Sequence, residues 1–589
     1  MRLADYVIEW ISSKGINNIF TVSGGGSIAL CDATAISNTM SYYCCHHEQA
    51  AAFAAEGYAR TTGNVGAALV TTGPGGTNAI TGVSCAWIDS IPLIFISGQV
   101  FSNQTIGKSK LRQLGVQEIN IIDLVKPNTK YAVMLKSSED IRYELEKSYH
   151  YAVKGRPGPV WIDIPANMQS TEINPDKLRS YKERKSNYKK KIVFNDIETL
   201  KNRLISSKRP IILAGHGVRL SKSSEKLVHF AECHNIPIAT TWNASDIIDS
   251  NHSLFVGRPG AFAERGANFA IQNSDFILTL GTRLPYMVTS YNSRDFARNS
   301  FKVMIDIDPF ELKKNDFQFD LKINMDVSVF LDKLINLKIS FKSNLKWVSK
   351  CQEIRQKYPI LDLEKKKKSK YVNSYVFIDE LSKVTSPNTS IVTDMGLSFV
   401  GTHQAFKVKK GQNLFTNSGH APMGWGLPAA FGSCIADKNK QVICLSGDGG
   451  LMMNIQELAT IMHHKPNLKI FIYNNDGYLT IKQTQQLGYD NRLMGCEKKD
   501  LSFPKFDLIA KAYSMSYMKI DGKDDLLSCI KTFLKFDGPA ICELILDPEQ
   551  PQTPKSINRK DKNGNAITSK FEELFPFLSV NEINRNLLE

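Results

Sequence analysis

Short apolar runs recur along the chain, each closed by a glycine, a proline or a carboxylate and each followed by a longer helical pattern. The first third contains Val65-Gly66-Ala67-Ala68-Leu69-Val70, Leu93-Ile94-Phe95-Ile96 and Val160-Trp161-Ile162-Asp163-Ile164. Strands that are apolar on both faces and alternate with helices predict a parallel sheet covered on both sides. The pattern returns as Pro210-Ile211-Ile212-Leu213-Ala214-Gly215, Phe276-Ile277-Leu278-Thr279-Leu280-Gly281 and Val303-Met304-Ile305-Asp306-Ile307-Asp308. It returns again as Ile391-Val392-Thr393-Asp394, Gln441-Val442-Ile443-Cys444-Leu445-Ser446 and Lys469-Ile470-Phe471-Ile472-Tyr473, closing at Ala540-Ile541-Cys542-Glu543-Leu544-Ile545-Leu546. The expected fold is α/β, with three doubly wound parallel-sheet domains in series over residues 1–172, 190–345 and 371–550. A tail, 551–589, either closes over a site as a lid or is a packed extension.

A length of 589 residues accommodates three such domains, and 42% hydrophobic with 22% charged residues excludes a disordered or collagen-like chain. The 11 cysteines form no C-x-x-C pair or Cys/His zinc spacing, which points to reduced thiols. Glu9 and Lys14 interrupt the N-terminus before a signal-peptide core could form, and no apolar run reaches the roughly 18 residues of a membrane span. A cytoplasmic protein with no membrane partner is expected. The net charge of +15 would suit an anionic partner. Much of the basic excess, however, sits in Lys189 to Lys191 and in Lys365 to Lys368 with Lys370, without interleaved aromatics, so solvated linkers are expected and no nucleic acid.

The third domain carries the sharpest chemistry. A strand runs into Gly447-Asp448-Gly449-Gly450, and the next strand ends at Asn474-Asn475-Asp476-Gly477, with Asn475 27 residues beyond Asp448. Open α/β sheets bind ligands at such strand ends. A carboxylate (Asp448), a side-chain amide (Asn475) and a backbone carbonyl (Gly477) make a hard-oxygen set suited to Mg²⁺, which also takes phosphate oxygens. The glycines let backbone approach a diphosphate, and the helix that follows stabilises its charge.

This spacing resembles the thiamine-diphosphate motif. In the first domain, His46-His47-Glu48-Gln49-Ala50-Ala51, Ala55-Glu56-Gly57-Tyr58-Ala59-Arg60 and Thr72-Gly73-Pro74-Gly75-Gly76-Thr77-Asn78 look like the pyrimidine-binding half of the acetolactate synthase superfamily. The resemblance covers about residues 1 to 550 and extends to Gly155-Arg156-Pro157-Gly158-Pro159-Val160, Asp306-Ile307-Asp308-Pro309 and Gly424-Trp425-Gly426-Leu427-Pro428-Ala429-Ala430. It implies pyrimidine-binding, central Rossmann-like and diphosphate-binding domains in that order.

The resemblance also implies roles. Glu48 would hydrogen-bond the pyrimidine ring nitrogen as a buried, protonated carboxyl, so that the exocyclic nitrogen can take the proton of the thiazolium carbon. Gly24, Gly25, Pro74, Asn78, Met423, Gly447, Asp448, Gly449, Gly450, Asn475, Gly477 and Tyr478 would contact the cofactor, with Met423 holding it bent and Asp448, Asn475 and Gly477 holding Mg²⁺. Gln117 would lie beside the reacting carbon. Family members assemble as homo-oligomers in which Glu48 of one subunit faces Asp448 of another.

Four positions depart from acetolactate synthases: Met287 replaces an arginine that holds the acceptor carboxylate, Ala166 a lysine, Val116 a phenylalanine and Thr484 a tryptophan. These losses imply an acceptor larger than pyruvate. The pattern is similar to carbohydrate-branching carboligases of surface-polysaccharide pathways, which add the two-carbon unit of pyruvate to a nucleotide-linked ketosugar. Acetolactate synthesis, or another 2-keto acid decarboxylation, is the alternative. In the central domain, Gly215, Gly217, Arg283 and Asp306 fall where flavin contacts lie in acetolactate synthases. Bound FAD is one reading, and a spacer whose glycines are only turns is the other.

Overall fold

The computed structural model describes residues 1–183, 194–337, 339, 345–362, 365–560 and 566–588. The linker expected at Lys189 to Lys191 lies outside them. Three six-stranded sheets follow one another, and every strand pairing within them is parallel. Counted within each domain, the first and third sheets have the same strand order, 2-1-3-4-6-5, whereas the central sheet is 3-2-1-4-5-6. The central strands Pro210–Ala214, Phe276–Leu280 and Phe301–Asp306 are apolar enough to be covered on both faces, as the sequence pattern requires.

The two outer domains share one hydrophobic core, which runs from Phe20 and Phe53 through Phe431 to Ile470. At its centre the helix Glu48–Thr62 crosses the helix Gly426–Ala436 at backbone contact. A Cβ on Gly57 would lie 2.0 Å from the Ala429 carbonyl oxygen, and one on Gly432 1.9 Å from that of Ala54, so only glycine permits this crossing. The seam carries a buried polar cluster. Glu56 accepts hydrogen bonds from Arg60 (2.9 and 2.7 Å), Asn417 Nδ2 (2.9 Å) and Trp425 Nε1 (2.9 Å), and Arg60 also reaches Asp89 at 2.7 Å.

The helix Leu345–Lys357, just past the expected end of the central unit, packs back on that unit: Trp347 Nε1 donates to the Pro210 carbonyl and Arg355 reaches Glu264. The tail is packed as well. Glu572 pairs with Arg298 at 2.9 Å and accepts from Gln272, Asn268 donates to the Phe571 carbonyl, and the helix Val580–Asn586 lies against Asn273 and Tyr358. No helix among the described residues is long and apolar enough to cross a membrane.

Candidate active site

The pyrimidine-side candidates converge at the carboxyl edge of the first sheet. His47 is extended and caps the helix Glu48–Thr62, its Nδ1 accepting from Gln49 N at 3.1 Å. Glu48 therefore opens the helix. It is 8% exposed, and Oε2 accepts from Asn78 Nδ2 at 2.9 Å. Asn78 lies one turn into the helix Pro74–Asp89, whose first residue follows Gly73 at φ +62°. A Cβ on Gly73 would fall 2.2 Å from the Gln117 carbonyl oxygen, so Gln117 is pressed against the start of this helix, and it is itself left-handed at φ +66°. A Cβ on Gly24 would meet Thr71 at 2.6 Å, whereas one on Gly25 would meet nothing within 4 Å. Close packing explains the first glycine only.

The loop that carries Gln117 is tied from inside. Glu118 Oε1 accepts from Ile106 N (2.6 Å) and Oε2 from Leu114 N (2.9 Å), clamping the two sides of the loop. Gln99 Nε2 donates both to the Ile119 carbonyl (3.1 Å) and to Asp163 (3.0 Å), which also accepts from Ser97 Oγ at 2.6 Å. Burial pushes the Asp163 carboxyl up to about 7. Outside, Leu111, Leu114 and Val116 are exposed, the last at 85%.

The diphosphate-side candidates converge on the third sheet. The strand Gln441–Gly447 ends at Asp448, which is 1% exposed and accepts backbone N–H groups from Gly449 (2.7 Å), Asn475 (3.1 Å) and Gly477 (3.2 Å). Burial raises its carboxyl to about 7 against those three donors. Beside it, Asn475 Oδ1 is buried and has no partner among the described residues. An acceptor without a donor next to a buried carboxylate fits a cation, and Asp448 Oδ1, which accepts only from Gly449 N, retains a lone pair for one. No cluster of three His, Cys, Asp or Glu that could hold a metal occurs among the described residues. Gly449 lies under the Tyr478 ring, 1.8 Å from where its Cβ would be, and a Cβ on Gly477 would fall 2.2 Å from the Cys496 carbonyl oxygen.

Sequence reasoning missed Asp394. This fully buried carboxyl, raised to about 6 by burial, accepts from Met395 N (2.8 Å), Ser446 Oγ (2.9 Å) and Gly424 N (3.0 Å). It thus links the residue after Met423 to the strand that precedes Asp448. A carboxylate closing the apolar run Ile391-Val392-Thr393 was the available signal.

Within one chain, Asn454 joins the two groups, donating to Gln49 Oε1 at 3.1 Å and to the Gly424 carbonyl at 2.9 Å. Among the described residues, no hydrogen bond links Glu48 to the Asp448 loop.

Gly217, Arg283 and Asp306 line a central cavity of about 340 Å³ at the strand ends where the 3-2-1-4-5-6 order reverses, the usual place for a dinucleotide. His216 Nε2 and Asn243 Oδ1, both on residues that line it, are buried without partners. Gly215 directly precedes the lining residue His216, and a Cβ there would fall 2.3 Å from Thr282 Cα. Of the acceptor-side positions, Thr484 is exposed on the helix Leu479–Gly488 and Met287 is half-buried.

Comparison with known proteins finds a match for each of the three domains. Residues 1–124 match the thiamine pyrophosphate enzyme N-terminal TPP binding domain, 197–334 the central domain and 394–544 the C-terminal TPP binding domain. The chain is 31% identical over 580 residues to the acetolactate synthase large subunit of Lactococcus lactis subsp. lactis (strain IL1403), covering 96% of this chain and 97% of that one. It is 32% identical over 566 residues to a probable acetolactate synthase large subunit of Methanocaldococcus jannaschii, covering 94% of each. To the acetolactate synthase isozyme 2 large subunit of Escherichia coli (strain K12) it is 29% identical over 547 residues, covering 93% and 96%.

Proposed function

The chain belongs to the thiamine pyrophosphate enzyme family, and from that premise we propose that it is a thiamine diphosphate- and Mg²⁺-dependent carboligase that decarboxylates pyruvate and adds the acetyl unit to a carbonyl acceptor. The observation that carries this reading is the buried Asp448 beside the unpartnered Asn475 Oδ1, in a domain that also holds the glycine cradle. Asp448, Asn475 Oδ1 and the Gly477 carbonyl would hold Mg²⁺. Bound thiamine diphosphate supplies the carbanion chemistry that side chains lack. The chain's own part is orientation and proton handling: Glu48, steadied by Asn78, would hydrogen-bond the pyrimidine ring, and Gln117 on its clamped loop would lie near the reacting centre.

The relatives' designation as acetolactate synthase large subunits supports a 2-keto acid acceptor, which becomes the leading reading. This reverses the order suggested by the substituted residues alone. A nucleotide-linked ketosugar stays as the second reading because Met287, Ala166, Val116 and Thr484 remove bulk and charge from the acceptor side. We also assign a second copy of the chain as the partner that completes the site. Ile28, just after the Gly24-Gly25 turn, and Val116, before Gln117, are exposed, as are Leu487 and Met494 (81%), which follow the Asn475–Gly477 loop in the chain. FAD is proposed for the central cavity, and flavin absorbance of the purified protein tests it.

Glu48→Gln tests the core of the proposal. CO₂ release from pyruvate, with thiamine diphosphate and Mg²⁺ supplied, should be lost while the melting temperature is retained. Unchanged release would remove Glu48 from the mechanism.

A further inference from the structure

After the last strand of the third sheet, Ala540–Ile545, the chain crosses the helix Leu479–Gly488, which follows the Asn475–Gly477 loop. Gln552 Nε2 donates to Thr480 Oγ1 at 2.8 Å, and Lys555 Nζ approaches Gln483 Oε1 at 3.5 Å. Thr480 and Gln483 are three residues apart and so share one helix face. The backbone of the crossing segment is fixed on its other side. Ser556 N donates to the Ala261 carbonyl at 2.6 Å, Ala261 N donates to the Met287 carbonyl at 2.7 Å, and Lys555 exchanges backbone bonds with Phe575. Lys555 therefore sits where the tail, the segment of Met287 and the helix beyond the diphosphate loop meet.

Its ammonium is poorly matched to these surroundings. Lys482 on the same helix pairs with Glu549 and Glu497, and nearby Lys498 pairs with Asp476 at 2.8 Å. Lys555 is half-buried, forms no ion pair among the described residues and has only an amide oxygen at the limit of hydrogen-bond distance. Burial without a counter-charge lowers its pKa from the ordinary lysine value. Two residues before Pro554, the Gln552 side-chain carbonyl is also buried without a partner. A partly desolvated cation with no carboxylate is costly unless an anion reaches it.

We propose that Lys555 recognises the anionic group of the second substrate, receiving on its ammonium the carboxylate or phosphate that the carbonyl acceptor carries. This rests on the carboligase reading, and it gives the tail a binding role. It also puts a cation on a segment tied through Ala261 to that of Met287, where the resemblance expects an arginine.

The test uses the full chain with thiamine diphosphate, Mg²⁺ and pyruvate, and either 2-ketobutyrate or a nucleoside-diphosphate 4-keto deoxysugar as acceptor. Lys555→Met should raise the acceptor KM about tenfold to a hundredfold, the range of a hydrogen bond to a charged group, and lower the product formed per CO₂ released. Lys555→Arg should restore most of both. A shift seen with 2-ketobutyrate assigns the anion as a carboxylate, and a shift seen only with the sugar assigns it as phosphate. Unchanged acceptor KM and product ratio in Lys555→Met would overturn the proposal. A second measurement needs neither turnover nor a variant: acetylation of Lys555 in the wild type, followed by peptide mass spectrometry, should be slowed by the acceptor anion and not by a neutral ketone. Equal acetylation with and without the anion overturns the assignment. Absence of CO₂ release from the wild type would instead reject the carboligase reading, leaving the acetylation result to decide on Lys555.

Discussion

The first and third domains share one strand order and put different chemistry on it. In each, a carboxylate at the fourth position of the sixth strand holds the side-chain amide that ends the fourth strand: Asp163 with Gln99 at 3.0 Å, and Glu543 with Asn474 at 2.6 Å. In each, the carbonyl of that amide accepts a backbone N–H from the loop it starts, Val100 N in one and Asp476 N in the other. One loop goes on to Gln117 and the other is the Asn475–Gly477 turn. The ends of the third strands diverge, with Gly73-Pro74 in one half and Asp448-Gly449 in the other. Topology thus decides where a loop is aimed, and the residues at the strand ends decide what that loop presents: a neutral glycine-proline turn in one half and a buried carboxylate in the other.

The seam between the halves should be the most sensitive point. Glu56→Ala strands Arg60, Asn417 and Trp425 in the interior and should cost about 3–5 kcal/mol of unfolding free energy in denaturant titration, as loss of a buried ion-pair partner does. A loss under about 1 kcal/mol would mean that the halves do not depend on this cluster. Next, the matched amides should separate by function. Asn474→Ala should weaken Mg²⁺ affinity about tenfold to a hundredfold, as removal of groups that orient a metal ligand does, whereas Gln99→Ala should lower turnover with Mg²⁺ affinity unchanged. Equal effects of both on metal binding would break the comparison.

Asp163 sharpens it through pH. Its folded pKa, about 7, lies above the unfolded value, so between the two the native state binds the extra proton, and its contribution to stability is lost as pH rises through about 7. The stability of the wild type relative to Asp163→Asn should therefore fall by about 2–3 kcal/mol between about pH 5 and about pH 8. A pH-independent difference would place the ionisation elsewhere. The smallest effect is expected at Gln49→Ala, which removes one hydrogen bond from Asn454 across the halves and should cost about 1 kcal/mol in thermal melting.

The three sheets were legible because their central strands are apolar runs closed by a turn residue, whereas edge strands such as Ser41–Cys44, Leu321–Asn324 and Ser516–Ile520 carry mixed residues and leave no such mark, and the Asp448, Asn475 and Gly477 cluster was legible because fixed spacing at strand ends is a local property. Glu48 and Asn78 could be named as candidates, but their 2.9 Å hydrogen bond depends on two helices meeting and leaves no local mark. Asp394 and Asp163 looked like ordinary strand residues, since what distinguishes them is the groups donating to them from distant segments. At Gly215 the sequence leaves the same question open, since a glycine demanded by the close approach of Thr282 reads like one demanded by a ligand. Lys555 lay in a proline-bearing tail whose path across another helix has no periodicity to betray it.

The central claim is that this chain joins two carbonyl compounds after decarboxylating one. Isotopically labelled pyruvate, given to the purified protein with thiamine diphosphate and Mg²⁺, alone or with 2-ketobutyrate or nucleotide-linked ketosugars, tests it by mass spectrometry of the products. The account predicts a product heavier by the labelled two-carbon unit, on a 2-keto acid under the leading reading and on the sugar under the second. Labelled CO₂ with acetaldehyde alone, whatever acceptor is present, would contradict it.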